Sequence, residues 1–206
     1  MKGWMTLVLV SLTGPALGEL PATPGALSAQ GADGLGPWVV HHSPEAGITV
    51  ALPCDPRLSY SHPQDGSGHQ TDKVELNCTK ILGPSKYATF RLVRMTYPPD
   101  RDLARQHYEE YAAYIRSADK TGAMVLLAGE ERHVHADYAL KHRAVNGILG
   151  LIETREKCTW NFIGLDGGSQ VQIIMSLPKA MCPSASDPIV TKIASGFFDS
   201  ILFDER

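Results

Sequence analysis

The sequence lacks the motifs of several catalytic and ligand-binding classes. It contains no phosphate-binding glycine loop, no dinucleotide fingerprint and no GxSxG nucleophile turn. In the segment GLDGGSQ, Ser169 follows a turn, and no histidine or aspartate stands in a companion motif, so this serine is predicted to be structural. The formal net charge of -3 gives no basic excess that would indicate nucleic acid binding. No complete catalytic constellation is therefore predicted.

The sequence also has no hydrophobic run of membrane-spanning length. The apolar run from Trp4 to Leu12 is about nine residues long, whereas a helix needs about 20 to span a bilayer. Lys2 precedes this run, and Ala16-Leu17-Gly18 follows it as a small-residue pattern. This order predicts a secretory signal peptide over residues 1–18, cleaved before Glu19, and hence a periplasmic or extracellular protein. An ordinary buried N-terminal helix is the weaker alternative.

The composition then divides the remaining chain in two. Residues 19–36 are rich in proline, glycine and alanine without a periodic apolar face, which is typical of a linker. Residues 37–206 are long enough for one domain with a sizeable core. Loss of Lys2 with the signal peptide would change the net charge from -3 to -4. We expect one exported domain without a permanent membrane span.

Cysteines are few, and they are widely spaced. Cys54, Cys78, Cys158 and Cys182 form no CxxC pair, so zinc ribbons and thioredoxin-like sites are not indicated. Export makes disulfides the expected state, and three pairings can be drawn. We favour Cys54 with Cys78 and Cys158 with Cys182, because each pair closes a moderate loop within one half of the chain.

The first half of the domain shows the alternation of β-strands. Strands are predicted at 38–42 and 48–53, joined by a turn at 43–47, and a hairpin is predicted from 73–82 and 87–97. The polar, glycine-rich segment 57–72 is expected to be a mobile surface loop.

The second half mixes helices with strands. A helix is predicted from Arg101, with an apolar face formed by Leu103, His107, Tyr111, Tyr114 or Ile115, and Ala118. Strands follow at 130–145, 147–165 and 169–178, with turns expected at Asn146-Gly147 and Asp166-Gly167-Gly168. A final helix is expected to begin at a cap on Ser186 or Asp187 and to bury Ile189, Ile193, Phe197 and Ile201. The predicted class is α+β, with a mostly antiparallel sheet flanked by helices.

Two segments and the element order resemble a known family. Trp38 with SPEAGITVALP (43–53), and IASGFFDSILF (193–203), are similar to the beginning and end of small exported bacterial domains of unknown function that share the PsbP-like fold. The resemblance covers about residues 38–204. It implies an α/β/α sandwich whose known members mostly act as accessory or interaction modules. None of their binding residues can be transferred to this chain.

One histidine pattern raises a metal hypothesis. His133, His135 and Asp137 alternate along a predicted strand, so their side chains would share one face and resemble the HxHxD motif of some metallohydrolases. However, Tyr138 stands in place of the histidine that directly follows the aspartate in that motif. No cysteine or further HxH pair is available as a distant ligand. No metal or cofactor is predicted. A secreted metal-binding protein or metal-dependent hydrolase remains the alternative function.

The predicted function is that of an exported, non-catalytic accessory or interaction module. Recognition commonly resides in loops on a rigid scaffold, so the polar segment 57–72 is the predicted partner-binding region. Its candidate residues are Tyr60, His62, Asp65 and His69. The expected partner is a protein or another extracytoplasmic molecule. The tyrosine cluster Tyr108, Tyr111 and Tyr114 is predicted to lie partly in the core.

Overall fold

A computed structural model of the chain describes residues 34–64, 68, 70–98, 102–121, 124–126, 129–139, 145–184 and 187–204. For residues 117–121, 124–126, 129–139 and 146 it describes the backbone alone. Within these ranges the protein is α+β with antiparallel sheets, which confirms the predicted fold class. None of the helices in these ranges is both long and apolar enough to cross a membrane.

The described elements are two helices and eleven strands. In chain order they are β1 (Val39–Ser43), β2 (Ile48–Leu52), β3 (Arg57–Ser61), β4 (Asp72–Gly83), β5 (Lys86–Thr96), α1 (Leu103–Thr121), β6 (Met124–Leu126), β7 (Gly129–Ala139), β8 (Asn146–Glu153), β9 (Lys157–Asp166), β10 (Ser169–Pro178), α2 (Pro188–Asp199) and β11 (Leu202–Phe203). The large sheet has the order β3-β4-β5-β10-β9-β8-β7-β6, and a small sheet has the order β1-β2-β11.

The main core lies between one face of the large sheet and a cover made of the small sheet and α2. We call this side of the large sheet the core face. Alternate residues of its central strands, including Phe90 and Phe162, are fully buried there. The Phe90 ring packs edge to face on Phe197 of α2, with centroids 5.1 Å apart, and on Trp38, at 5.2 Å. Helix α2 begins as predicted, because the Asp187 side chain caps its first backbone N–H groups.

Helix α1 packs on the opposite side of the large sheet, which we call the α1 face. Ala112 and Ile115 form a small second core with Ile148 of β8. The hydroxyl of Tyr111 donates a hydrogen bond to the backbone oxygen of Asn161 in β9, at 3.0 Å. The central strands of the large sheet thus lie between α1 on one face and α2 with the small sheet on the other.

Two disulfides have the favoured sequence-local connectivity. Cys54, just after β2, is bonded to Cys78 of β4, and Cys158 of β9 is bonded to Cys182, which follows β10. The Cα atoms are 5.7 Å and 6.3 Å apart, within the range for disulfides. Both bonds attach the core-face cover, or the chain leading into it, to strands of the large sheet.

The expectation of a loop throughout 57–72 is wrong. Arg57–Ser61 forms strand β3, which pairs with β4 from Asn77 to Lys73. The two apolar residues Leu58 and Tyr60 already have the period-two spacing of a strand, but the surrounding serines and the glycine-rich continuation concealed it. The polar segment therefore includes β3, which forms a hairpin with β4 and lies at one edge of the large sheet.

The turn expected at Asn146-Gly147 is also wrong. Both residues lie within β8 and pair with Ala139 and Tyr138 of β7. A Cβ atom at Gly147 would lie 2.3 Å from Cζ of Phe162, so this glycine permits close packing instead of a turn.

The expectation of one strand over 147–165 is wrong. It is broken between β8 and β9, where the Thr154 hydroxyl accepts hydrogen bonds from the backbone N–H groups of Glu156 and Lys157. A threonine side chain can make such a turn without glycine or proline, which are the residues that mark most turns in a sequence.

The buried faces of both helices differ in part from those predicted. On α1, Ile115 is buried, as one of the two predicted alternatives, whereas His107 is exposed, and Ala104 and Ala112 are buried although they lie outside the predicted face. Ala118 lies outside the described side chains. On α2, Ile189 is 57% exposed and its neighbour Val190 is buried. The helix ends at Asp199, and the chain then forms β11 beside β2, which buries Ile201 outside the helix.

Candidate interaction site

Strand β3 forms one edge of the large sheet. It pairs with β4 on one side and, among the described strands, with no other. All five of its residues are exposed. An edge strand presents a row of backbone N–H and C=O groups that can pair with an added strand. The strand thus brings an open hydrogen-bonding edge to the protein surface.

The core-face side of β3 is apolar but uncovered. Leu58 lies opposite Leu76, which is buried, and Tyr60 lies opposite Val74. Leu58 itself is 39% exposed and Tyr60 is 55% exposed. The cover of α2 and the small sheet therefore does not extend over β3. Desolvation by neighbouring chain atoms and, second, the carboxylate of Glu45 raise the pKa of the Tyr60 hydroxyl, which remains a neutral donor.

The loop that follows β3 begins as a continuation of the hairpin. The Thr71 backbone N–H donates to the Pro63 oxygen at 2.9 Å, and Gln64 forms an isolated bridge with Gln70. At the start of this loop, Nδ1 of His62 lies 2.9 Å from Oδ1 of Asp72, and both side chains are exposed. Of the four predicted partner-binding residues, Tyr60 and His62 are thus placed on this surface. The other two, Asp65 and His69, lie outside the described residues.

The opposite side of this edge, on the α1 face, is polar. Oε2 of Glu75 in β4 accepts a hydrogen bond from Nη2 of Arg91 in β5, at 2.9 Å, and Nζ of Lys73 lies 2.8 Å from the same oxygen. Burial raises the pKa of Glu75, but hydrogen bonds from Arg91 and Lys73 outweigh that effect and leave its pKa below the ordinary value. The edge therefore has one apolar side and one charged side, which would orient an added strand.

A cluster of polar side chains lies at the far end of β5. Ser169 is buried, and its hydroxyl lies 3.0 Å from that of Thr96. The nearby Tyr97 hydroxyl lies 2.9 Å from Oε1 of Gln170 and 2.8 Å from Nδ1 of His107. Burial raises the pKa of Tyr97, so the hydroxyl stays protonated. The contacts of His107 join α1 to the sheet, a role that its sequence pattern did not reveal.

A buried ion pair lies on the core face. Arg94 of β5 and Asp166 of β9 approach to 2.5 Å, and each side chain is 3% exposed. Nη1 of Arg94 also donates to the backbone oxygen of Ala46, in the turn between β1 and β2, at 3.3 Å. The pair thus fixes the small sheet to the large one, as the Cys54–Cys78 disulfide also does. No local pattern indicates this pair, because the two residues are separated by 72 positions.

The metal hypothesis falls on side chains outside the described ones. The backbone of β7 confirms a strand there, and its register pairs His133, His135 and Asp137 with Ile152, Gly150 and Ile148. Among the side chains that the structure describes, no group of three or more histidine, cysteine, aspartate or glutamate residues is placed to hold a metal ion.

The tyrosine cluster of α1 lies partly in the core, as expected. Tyr108 and Tyr111 pack against the small second core, and burial raises the pKa of the Tyr111 hydroxyl well above its ordinary value. Tyr114 is 38% exposed. Tyr111 is therefore used in packing, and Tyr114 lies at the margin.

No protein-family model matches the chain, and no curated protein matches it at a significant level. The resemblance to PsbP-like domains therefore stays a prediction.

Proposed function

We propose that the protein is an exported, non-catalytic interaction module that binds a protein partner through the edge strand β3. The observation that carries this proposal is the joint exposure of the β3 backbone edge and of Leu58 and Tyr60 on its core-face side. Strand addition uses both features, because backbone hydrogen bonds supply affinity and alternate side chains supply specificity.

The compartment is part of the same proposal. Two disulfides and no free cysteine among the described residues fit an oxidising, extracytoplasmic environment. The resemblance of both chain ends to exported PsbP-like domains fits an accessory role. Native protein should have its N-terminus at or near Glu19 by mass spectrometry. Recovery of chains that begin at Met1 in the soluble cytosol would contradict export.

The interaction surface is tested by site-specific photo-cross-linking in the native compartment. A photoreactive phenylalanine derivative replaces Tyr60 in one variant and Tyr114 in a matched control, because both tyrosines are partly exposed but lie on opposite sides of the large sheet. We expect position 60 to give a defined protein adduct at several times the yield from position 114. The partner need not be known in advance. Equal yields, or no adduct from position 60, would contradict the proposed surface.

The alternative function, a secreted metal-binding protein or metal-dependent hydrolase, has a separate test. Elemental analysis of the oxidised mature protein should find less than stoichiometric transition metal. Stoichiometric zinc that is lost in the His133→Ala, His135→Ala variant would replace the proposed function by the metal-dependent one.

A further inference from the structure

We infer that the partner strand at this edge is β3 of a second copy of the chain, paired antiparallel about a twofold axis at Ser59. This inference rests on the proposed function and specifies its partner. A twofold axis brings the same surface of both copies together, so the edge has to be complementary to itself. The sequence of β3 is Arg57-Leu58-Ser59-Tyr60-Ser61, with its two apolar residues placed symmetrically about Ser59.

The register centred on Ser59 satisfies self-complementarity. It places Leu58 opposite Tyr60 of the second copy, and Arg57 opposite Ser61 of the second copy. Aromatic and aliphatic residues directly opposite each other are favourable cross-strand pairs, and like charges opposite each other are not. In this register the single charge of β3 faces a serine, and both apolar residues face apolar residues.

Neighbouring registers fit less well. A shift of one residue would place the apolar side chains of the two copies on opposite faces of the joined sheet. A register centred on Leu58 or on Tyr60 would keep the faces, but part of β3 would then lie opposite Pro56 or His62, outside the strand. Only the register at Ser59 pairs all five residues.

The pairing would also continue the core face across the interface. Leu76 and Val74 of β4 pack in or against the main core, and Leu58 and Tyr60 extend this row to the edge. The second copy adds its own Tyr60 and Leu58 to the same row. The contact is limited to a short strand, so it should bury less than the roughly 1,200 Å² of a standard stable interface. The dimer is therefore weak and depends on protein concentration.

The first test compares two charge variants with the same number of substitutions. Leu58→Glu with Tyr60→Glu places carboxylates opposite carboxylates in the inferred register. Leu58→Lys with Tyr60→Glu places opposite charges there. Sedimentation velocity of the oxidised domain, from micromolar to millimolar concentration, should show the mass approaching double for the wild type and the Lys/Glu variant. The Glu/Glu variant should remain monomeric, and circular dichroism should show that all three are folded.

The second test measures the register directly. Directly opposite residues in an antiparallel pair have Cα atoms about 4.5 to 5.5 Å apart, within the range for a disulfide. Ser59→Cys should therefore form an intermolecular disulfide at concentrations where the wild type is dimeric. Ser61→Cys is the matched control, because its Cα would lie about 14 Å along the strand from its counterpart.

Several outcomes would overturn the inference. These are a wild type that stays monomeric at millimolar concentration, a dimer that the Glu/Glu variant retains, and equal cross-linking at positions 59 and 61. Photo-cross-linking at position 60 to a different protein, with a monomeric wild type, would overturn the second copy as partner and leave the proposed function intact. Absence of every adduct at position 60 would reject both.

Discussion

Replacement of Arg94 by methionine should be among the most destabilising single changes in this protein. Methionine keeps much of the side-chain volume but leaves the Asp166 carboxylate in an almost fully buried position without its guanidinium. Removing one member of a buried ion pair costs about 3 to 5 kcal/mol, because the remaining charge has lost its water and its partner. The contact with Ala46 in the cover is lost as well.

The assay is urea unfolding of the oxidised domain, followed by circular dichroism. The matched control is Arg91→Met, which removes one of the two cationic partners of the less buried Glu75 and should cost about 1 kcal/mol or less. The double change Arg94→Met with Asp166→Leu should recover most of the lost stability, since an apolar pair can replace a buried ion pair at little cost. An Arg94→Met variant as stable as the Arg91→Met variant would refute the reasoning.

Three further predictions follow from packing, cross-links and charge. Gly147→Ala should destabilise the domain by about 1 to 3 kcal/mol, because the added methyl meets Phe162, whereas Gly168→Ala, with open space at its Cβ, should be close to neutral by the same urea assay. Replacing either disulfide by two alanines should cost about 3.5 kcal/mol in the chain-entropy model, equally for both because both have a sequence separation of 24; calorimetry would reveal any difference. The pKa of Glu75 is lowered in the folded protein, so its stabilising effect is present above the ordinary value of 4.5 and is lost as the pH falls through the lower folded value. Glu75→Gln should therefore flatten the decline in stability below pH 4.5, and an unchanged acid limb would contradict this assignment.

The parts of the fold that the sequence predicted are those in which one local signal decides the structure. Strands β4, β5 and β10 alternate clearly, and Gly47 and Gly167 have the positive φ angles expected of their turns. The sequence signal for the helix cap at Asp187 is also local. Moderate loop length and closure within one half of the chain predict the disulfide pairing that the structure has.

The errors arose where one residue type serves two purposes. Asn-Gly favours a hairpin turn, but glycine also permits the close approach that Phe162 requires beside Gly147. Thr154 forms a turn through its side chain, which composition does not reveal. The buried pair Arg94 and Asp166 depends on tertiary pairing of distant strands, for which a single sequence contains no local signal.

The segment predicted to bind a partner contains a strand where a loop is expected, and this difference changes the chemistry of the proposed site. A mobile loop would recognise a partner through side chains, and binding would have to order its backbone. Strand β3 is already ordered by its pairing with β4, so an added strand would meet a preformed row of backbone groups at a lower entropic cost. The same order limits the registers that fit, because Leu58 and Tyr60 are held on one face. Substitutions at these two positions should therefore change binding far more than the stability of the domain, whereas substitutions at Leu76, buried in the next strand, should reduce both.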